Sequence, residues 1–271
     1  MLAACSTEET LKPTTNVSIP TSTKYASLVV DASSGKTLYS VNADQPRYPA
    51  SLTKMMTLYF LFEALETGRI TRSTQIPVSD YARGRPPTKI GFKSGDTIDV
   101  DSAIKALCVK SANDVAVAVG EYFGGSEENF AAMMTAKARS LGMRRTVFRN
   151  ASGLPDDGQV TTARDMAVLG LALRARFPQY YNYFSATDFG YRGKLVRGHN
   201  DMLGRVRGVD GIKTGYIRAS GYNIVTSVNA DGRKMVIVIM GGETARARNA
   251  EVEALIARFM PQPGGGLLSF H

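Results

Sequence analysis

The sequence predicts an α+β fold: an antiparallel sheet assembled from both ends of the chain and flanked by helices. Strand-like apolar runs stand near the start, in "KYASLVVD" and "KTLYSVNAD". They return in the last third, in "GVDGIKTGY", "YNIVTSVNA" and "KMVIVIM". Helical patterns fill the middle, and short polar turns join neighbouring runs, which is how antiparallel strands are connected.

Each element has its own local signal. Ala32-Ser33-Ser34-Gly35 reads as the first hairpin turn. Pro46 and Pro49 stiffen the approach to Ser51, and from Ser51 to about Thr67 the residues are apolar nearly all round, as in a helix buried inside a domain. Gly68 is its stop. Residues 69 to 98, with Pro77, Pro86, Pro87 and several glycines, read as irregular. Residues 100 to 109 suggest a helix, "KSAND" interrupts it, and 114 to 123 resume. Gly124-Gly125 end that segment, and Ser126 caps a helix running to Leu141. "TARD" (Thr162 to Asp165) starts another, to about Arg176. Ala230-Asp231-Gly232 makes a hairpin turn, and 245 to 259 form the last helix. The expected organisation is a tether over 1–24, a single folded domain over 25–259 and a tail over 260–271.

Composition bounds the function. The chain has 271 residues, 44% hydrophobic, and a net charge of +9. No apolar stretch approaches the roughly 18 residues of a membrane-spanning helix. The basic excess fits a solvated face, nucleic acid, an anionic membrane surface or an anionic polymer. The absence of zinc-finger spacing, an RNA-binding aromatic signature and any dense Lys/Arg run argues against nucleic acid. Two cysteines (Cys5 and Cys108) and two histidines (His199 and His271) argue against a metal site built from them, and no cofactor motif is present. "LAAC", Leu2 to Cys5, resembles a bacterial lipobox without the segments that normally precede it. It predicts lipid anchorage through Cys5 as one of two readings, the other being chance.

Three short motifs carry the chemistry, and each has decoys. Ser-x-x-Lys occurs at Ser33/Lys36, Ser51/Lys54 and Ser102/Lys105. Ser-x-Asn occurs at Ser40/Asn42, Ser111/Asn113 and Ser227/Asn229. Lys-Ser-Gly at 93–95 shadows Lys213-Thr214-Gly215. Context separates them. Only "SLTK" opens a long buried helix, only the "SAN" at 111 breaks one helix from the next, and only the "KTG" at 213 lies on a strand ending in glycine, where a substrate backbone can approach closely.

At a helix N-terminus Ser51 meets unpaired amides that stabilise an oxyanion as its hydroxyl attacks a carbonyl. Lys54, one turn on, lies on the same face. Burial and nearby cations lower its pKa and let a neutral amine act as base. Ser111 can relay a proton to a leaving group, and Asn113 can bind a substrate amide. Lys213 and Thr214 offer a charge and a hydroxyl to a terminal carboxylate. Taken singly, each has a plainer explanation: Ser51 an N-cap, Lys54 a snorkelling surface lysine, Asn113 and Thr214 ordinary loop and strand residues, Gly215 a bulge, His199 a surface histidine.

Ser-x-x-Lys, Ser-x-Asn and Lys-Thr-Gly in this order mark the penicillin-recognising serine enzymes. The flanks "PASLTKMMT", "KSANDVAVAVGE", "NASGLPDDGQVTTARDMA" and "VDGIKTGYIRASGYNIV" resemble those of the D-alanyl-D-alanine carboxypeptidases, the low-molecular-mass penicillin-binding proteins, over roughly residues 25 to 258. The resemblance implies a β-lactamase/penicillin-binding-protein transpeptidase-like fold with the site between sheet and helices. It implies that Ser51 is the acylated nucleophile, Lys54 its base, Ser111 the proton shuttle and Lys213 a substrate-binding residue, with the amides of Ser51 and Tyr216 as oxyanion hole. Its implied partners are a peptidoglycan pentapeptide ending in D-Ala-D-Ala and β-lactams as covalent inhibitors, and its implied location is periplasmic or extracytoplasmic. The second, β-rich domain and membrane-binding helix of many relatives are not visible in the sequence. His199-Asn200 stands where many carry Arg-Asn, which leaves Arg218 as a candidate for carboxylate binding.

The expected activity is a serine carboxypeptidase. The alternatives are a D,D-endopeptidase, a β-lactamase and a non-catalytic peptidoglycan-binding protein. A β-lactamase of class A uses an acidic residue in a Glu-x-x-Leu-Asn stretch, which is absent here. A pure binder has no need of a buried lysine beside a serine.

Overall fold

The structure is a computed structural model that describes residues 22–260. The candidate lipobox at Cys5, most of the expected tether and most of the expected tail lie outside the described residues. Five antiparallel strands form the main sheet in the order β2-β1-β9-β8-β7. They are β1 (Ala26–Asp31), β2 (Thr37–Val41), β7 (Val209–Ile217), β8 (Gly221–Ala230) and β9 (Arg233–Gly242). The first two come from the N-terminal end and the last three from the C-terminal end, so β1 pairing with β9 closes the sheet.

Between them lie α1 (Lys54–Glu66), the short pair β3 (Gln75–Pro77) and β4 (Thr97–Asp99), and a single turn α2 (Asp80–Arg83). Then come α3 (Val100–Lys105), α4 (Asn113–Gly124), α5 (Glu127–Ser140) and α6 (Ala163–Arg176). A small hairpin, β5 (Asp188–Tyr191) with β6 (Lys194–Arg197), precedes β7, and α7 (Ala245–Phe259) ends the fold. The expected caps form: the hydroxyls of Ser126 and Thr162 accept the amides of Asn129 and Asp165.

The apolar run of β9 is continuous because both faces of the sheet are covered. Val236, Val238 and Met240 join the large core shared with α1, α4 and α6. Met235, Ile237 and Ile239 point the other way, to a smaller core with Val252 and Leu255 of α7. Alternation along one strand thus ties the two helical layers together.

One expectation needs correction. Residues 69–98 are not wholly irregular: β3 and β4 pair there, and Ser79 caps α2. The hairpin β5–β6 and the 3₁₀ segment Pro178–Ser185 carried no sequence signal that identified them. The break at "KSAND" is real. A π-helical stretch, Ala106–Lys110, runs out of α3, and Ser111 turns left-handed at φ 59° before α4 begins.

Candidate active site

Ser51 lies in a single 3₁₀ turn, Ala50–Thr53, that leads into α1 at Lys54. Ala50 before it is held at φ 50°, a left-handed conformation that costs a non-glycine residue about 1–3 kcal/mol and persists only where its surroundings enforce it. Three neighbours do so. A methyl at Gly153 would lie 1.8 Å from the Ala50 carbonyl oxygen, and one at Gly215 would lie 3.0 Å from the Ser51 amide nitrogen. Asn223 of β8, fully buried, donates from Nδ2 to the carbonyls of Tyr48 and Pro49, at 3.0 and 3.3 Å. Its Oδ1 accepts the Gly241 amide at 2.9 Å, so β8 and β9 hold the turn from behind. The glycine of "KTG" therefore makes room first for the turn that carries Ser51.

Lys54 is fully buried. Its Nζ lies 3.2 Å from Ser51 Oγ, 2.7 Å from Asn113 Oδ1 and 2.5 Å from the Ser152 carbonyl oxygen. Asn113 Oδ1 and Ser152 O only accept. A neutral amine has two N–H donors for them and one lone pair left, facing the Ser51 hydroxyl. Burial holds the Lys54 pKa well below the usual lysine range, and the nearby Lys213 pushes the same way, against Asp114 and Glu127. Lys213 is itself buried, which brings its pKa to about 8.

The SAN segment enters from the break between α3 and α4. Ser111 is buried, and its Oγ has no hydrogen-bond partner. Asn113 spends its Oδ1 on Lys54 and one donor on the Pro86 carbonyl, which leaves one N–H for anything else. Asp114 accepts the amides of Ile90, Gly91 and Val115 and pins the 86–91 loop beside this helix start.

A cleft of about 550 Å³ opens over these groups. Ser51, Ser111, Asn113, Thr214, Gly215 and Tyr216 all line it. Tyr216 is half exposed and packs against Tyr222 with ring centroids 4.3 Å apart and planes tilted by 33°. The strand β7 is the edge of the sheet, so its outward backbone groups have no partner strand. Lys213 does not line the cleft; it lines an adjoining cavity, and its Nζ donates to the Thr214 carbonyl at 3.0 Å.

Two contributors were missed by sequence reasoning. One is the Ser152 carbonyl, a backbone acceptor inside the quoted "NASGLP" flank. The other is Arg248, on α7. Arg218 is exposed in the β7–β8 turn, outside the cleft lining, where its carbonyl holds Lys24. The guanidinium that lines the cleft is that of Arg248, 3% exposed, with its pKa brought by burial to about 10. Arg248 bonds the Asn223 carbonyl and Asn249 Oδ1, and two of its five N–H donors remain.

A family model described as D-alanyl-D-alanine carboxypeptidase matches residues 13–244. The chain belongs to the D-alanyl-D-alanine carboxypeptidase family. It is 34% identical over 236 residues to D-alanyl-D-alanine carboxypeptidase DacA of Escherichia coli K12, covering 84% of this chain and 59% of the relative. It is 31% identical over 236 residues to DacF of Bacillus subtilis, covering 85% and 60%. The chain thus spans about three-fifths of the length of these curated relatives. Among solved structures, penicillin binding protein 5 from Haemophilus influenzae superposes with a TM-score of 0.83 at 32% identity, over 89% of this chain and 72% of that one. Penicillin-binding protein D2 from Listeria monocytogenes, in a cefotaxime-bound form, superposes at 0.77 and 29% identity, over 85% and 94%. The α+β fold of this family is the one described above, with the cleft between sheet and helices.

Proposed function

We propose that this chain is a serine D,D-carboxypeptidase that removes the terminal D-alanine of peptidoglycan stem peptides ending in D-Ala-D-Ala, through an acyl-enzyme on Ser51. The observation that carries this reading is the contact set of Lys54: a fully buried amine with two acceptors and one hydroxyl, matched to a neutral base.

In this mechanism Lys54 takes the Ser51 proton as Oγ attacks the carbonyl carbon of the penultimate D-alanine. The oxyanion is met by the amides of Ser51 and Tyr216. The substrate backbone pairs with the open edge of β7, and the remaining N–H of Asn113 meets a substrate carbonyl. Ser111, whose hydroxyl has no other partner, passes a proton to the departing nitrogen. The C–N bond breaks, D-alanine leaves, and the penultimate residue remains as an ester on Ser51. Water then attacks the ester, Lys54 takes the water's proton, and Ser51 regains its own. Thr214 and the two free donors of Arg248 bind the terminal carboxylate. Lys213, beside them, keeps Lys54 neutral.

A β-lactam presents a strained amide and a carboxylate to the same groups, so it acylates Ser51 as well. Structures of the Listeria relative in cefotaxime- and ampicillin-bound forms support this reading. The substrate lies in the cell wall, which locates the enzyme outside the cytoplasmic membrane, and lipid on Cys5 would hold it there. None of the described helices is long and apolar enough to cross a membrane.

Incubation with defined muropeptides tests the proposal. Monomeric pentapeptide should lose one D-alanine. Cleavage of cross-linked dimers with monomers left intact would replace the carboxypeptidase by an endopeptidase.

A further inference from the structure

Beside the cleft lies a second cavity, of about 270 Å³. One water needs roughly 10–15 Å³ of such space, so the cavity has room for a small molecule. It shares Gly198, His199, Asp201 and Thr214 with the cleft, so the two volumes meet along one wall. Lys213 faces this second volume.

Four charged side chains line the cavity, two of each sign: Lys213, which is buried, and Arg197, Asp188 and Asp201, which are exposed. None of them forms an ion pair among the described residues. Lys213 is 3% exposed, and its ammonium has one protein acceptor for three donors. Asn200, also in the wall, has a buried Nδ2 with no acceptor. Cys108, Phe184 and Ile212 supply an apolar side. A simple anion would face two carboxylates here and a simple cation two cations. A small zwitterion with a short apolar group answers all three features.

We propose that this cavity receives the free amino acid released in the cleft, D-alanine, with its carboxylate at Lys213 and its ammonium toward Asp201. The proposal rests on the carboxypeptidase reading above. When the D-Ala-D-Ala bond breaks, the departing nitrogen changes from a neutral amide to an amine that takes up a proton. That new positive charge is the one property that separates product from substrate at this end, and Asp201 lines both volumes. Moving the amine out of the cleft keeps it from attacking the ester on Ser51 and re-forming the peptide bond before water can act.

The test uses protein acylated with penicillin, verified by mass, so that the cleft is occupied. D-Alanine binding is then read by saturation-transfer NMR. D-Alanine should bind the acylated protein, and D-alanine amide and N-acetyl-D-alanine, each lacking one charge, should bind at least tenfold more weakly. Cys108→Leu, which narrows the cavity on its apolar side, should weaken binding at least tenfold. Asp188→Asn, an exposed change outside the cleft lining, should weaken it without altering the acylation rate and serves if Cys108→Leu does not fold. Acylated protein that binds no D-alanine, single-charge analogues that bind as well, or binding unchanged in these variants would overturn the proposal. Failure of penicillin to add its mass would strike the reading of the cleft instead. The cavity is then judged by comparing D-alanine binding to unmodified wild type and Cys108→Leu, where equal binding refutes it.

Discussion

Lys54 and Asn113 stand 59 positions apart and meet in a buried hydrogen bond of 2.7 Å. The bond joins the turn that carries Ser51 to the break that carries Ser111, and it commits the Asn113 oxygen to Lys54. Replacing that oxygen with a carboxylate places a negative charge against Lys54 and favours the ammonium. Asn113→Asp should therefore move the acidic limb of the acylation rate against pH to higher pH and lower the rate at pH 7. A limb that stays in place would mean that Lys54 is not the titrating base.

Lys213 acts in the opposite sense. Its proximity lowers the Lys54 pKa, so removing its charge in Lys213→Met should let Lys54 hold its proton more tightly. The acidic limb should again move to higher pH. A reduced plateau alone does not test this, because the same substitution also alters the adjoining cavity. Both limbs are read from stopped-flow acylation by a chromogenic β-lactam.

The clamp behind Ser51 has its own signature. Asn223→Ala removes hydrogen bonds to Tyr48, Pro49 and Gly241 at a fully buried site. Leaving such groups unpaired costs about 1–3 kcal/mol, which urea unfolding will measure. Acylation should slow as well, since the clamp orients the turn. Slower acylation with unchanged stability would mean that Asn223 acts on the substrate directly.

Much of this was legible in the sequence, for physical reasons that differ by element. The buried α1 and the two-faced β9 leave long apolar runs, and hairpins and caps leave small polar residues at fixed offsets. SLTK and SAN stood out from their decoys because each marks an abrupt change of backbone. KTG does not, since β7 runs on past Gly215 to Ile217, and only its place on a strand singled it out. The Ser152 carbonyl was not legible, since a backbone acceptor has no residue type. Arg248 was hidden because a basic residue in the first turns of a surface helix usually faces solvent, and only the packing of α7 on β8 turns it inward. The hairpin β5–β6 is short and mostly exposed, so it lacks an apolar pattern.

Arg248 gives a prediction about substrate. A charge-assisted hydrogen bond is worth roughly 1.5–3 kcal/mol, or about 10- to 150-fold. Arg248→Met should lower kcat/KM by that factor for a peptide with a free terminal carboxylate and by much less for the amidated peptide. Equal losses would show that Arg248 does not read the carboxylate, leaving Thr214 alone, or Lys213, as the reader.

The central claim is that Ser51 is the nucleophile and Lys54 its neutral base. Mass spectrometry of the penicillin-treated protein tests it most directly. The added mass should fall on one peptide spanning Ser51, and folded Ser51→Ala should carry none. Label that persists in folded Ser51→Ala, or that maps to a peptide without Ser51, would contradict the account.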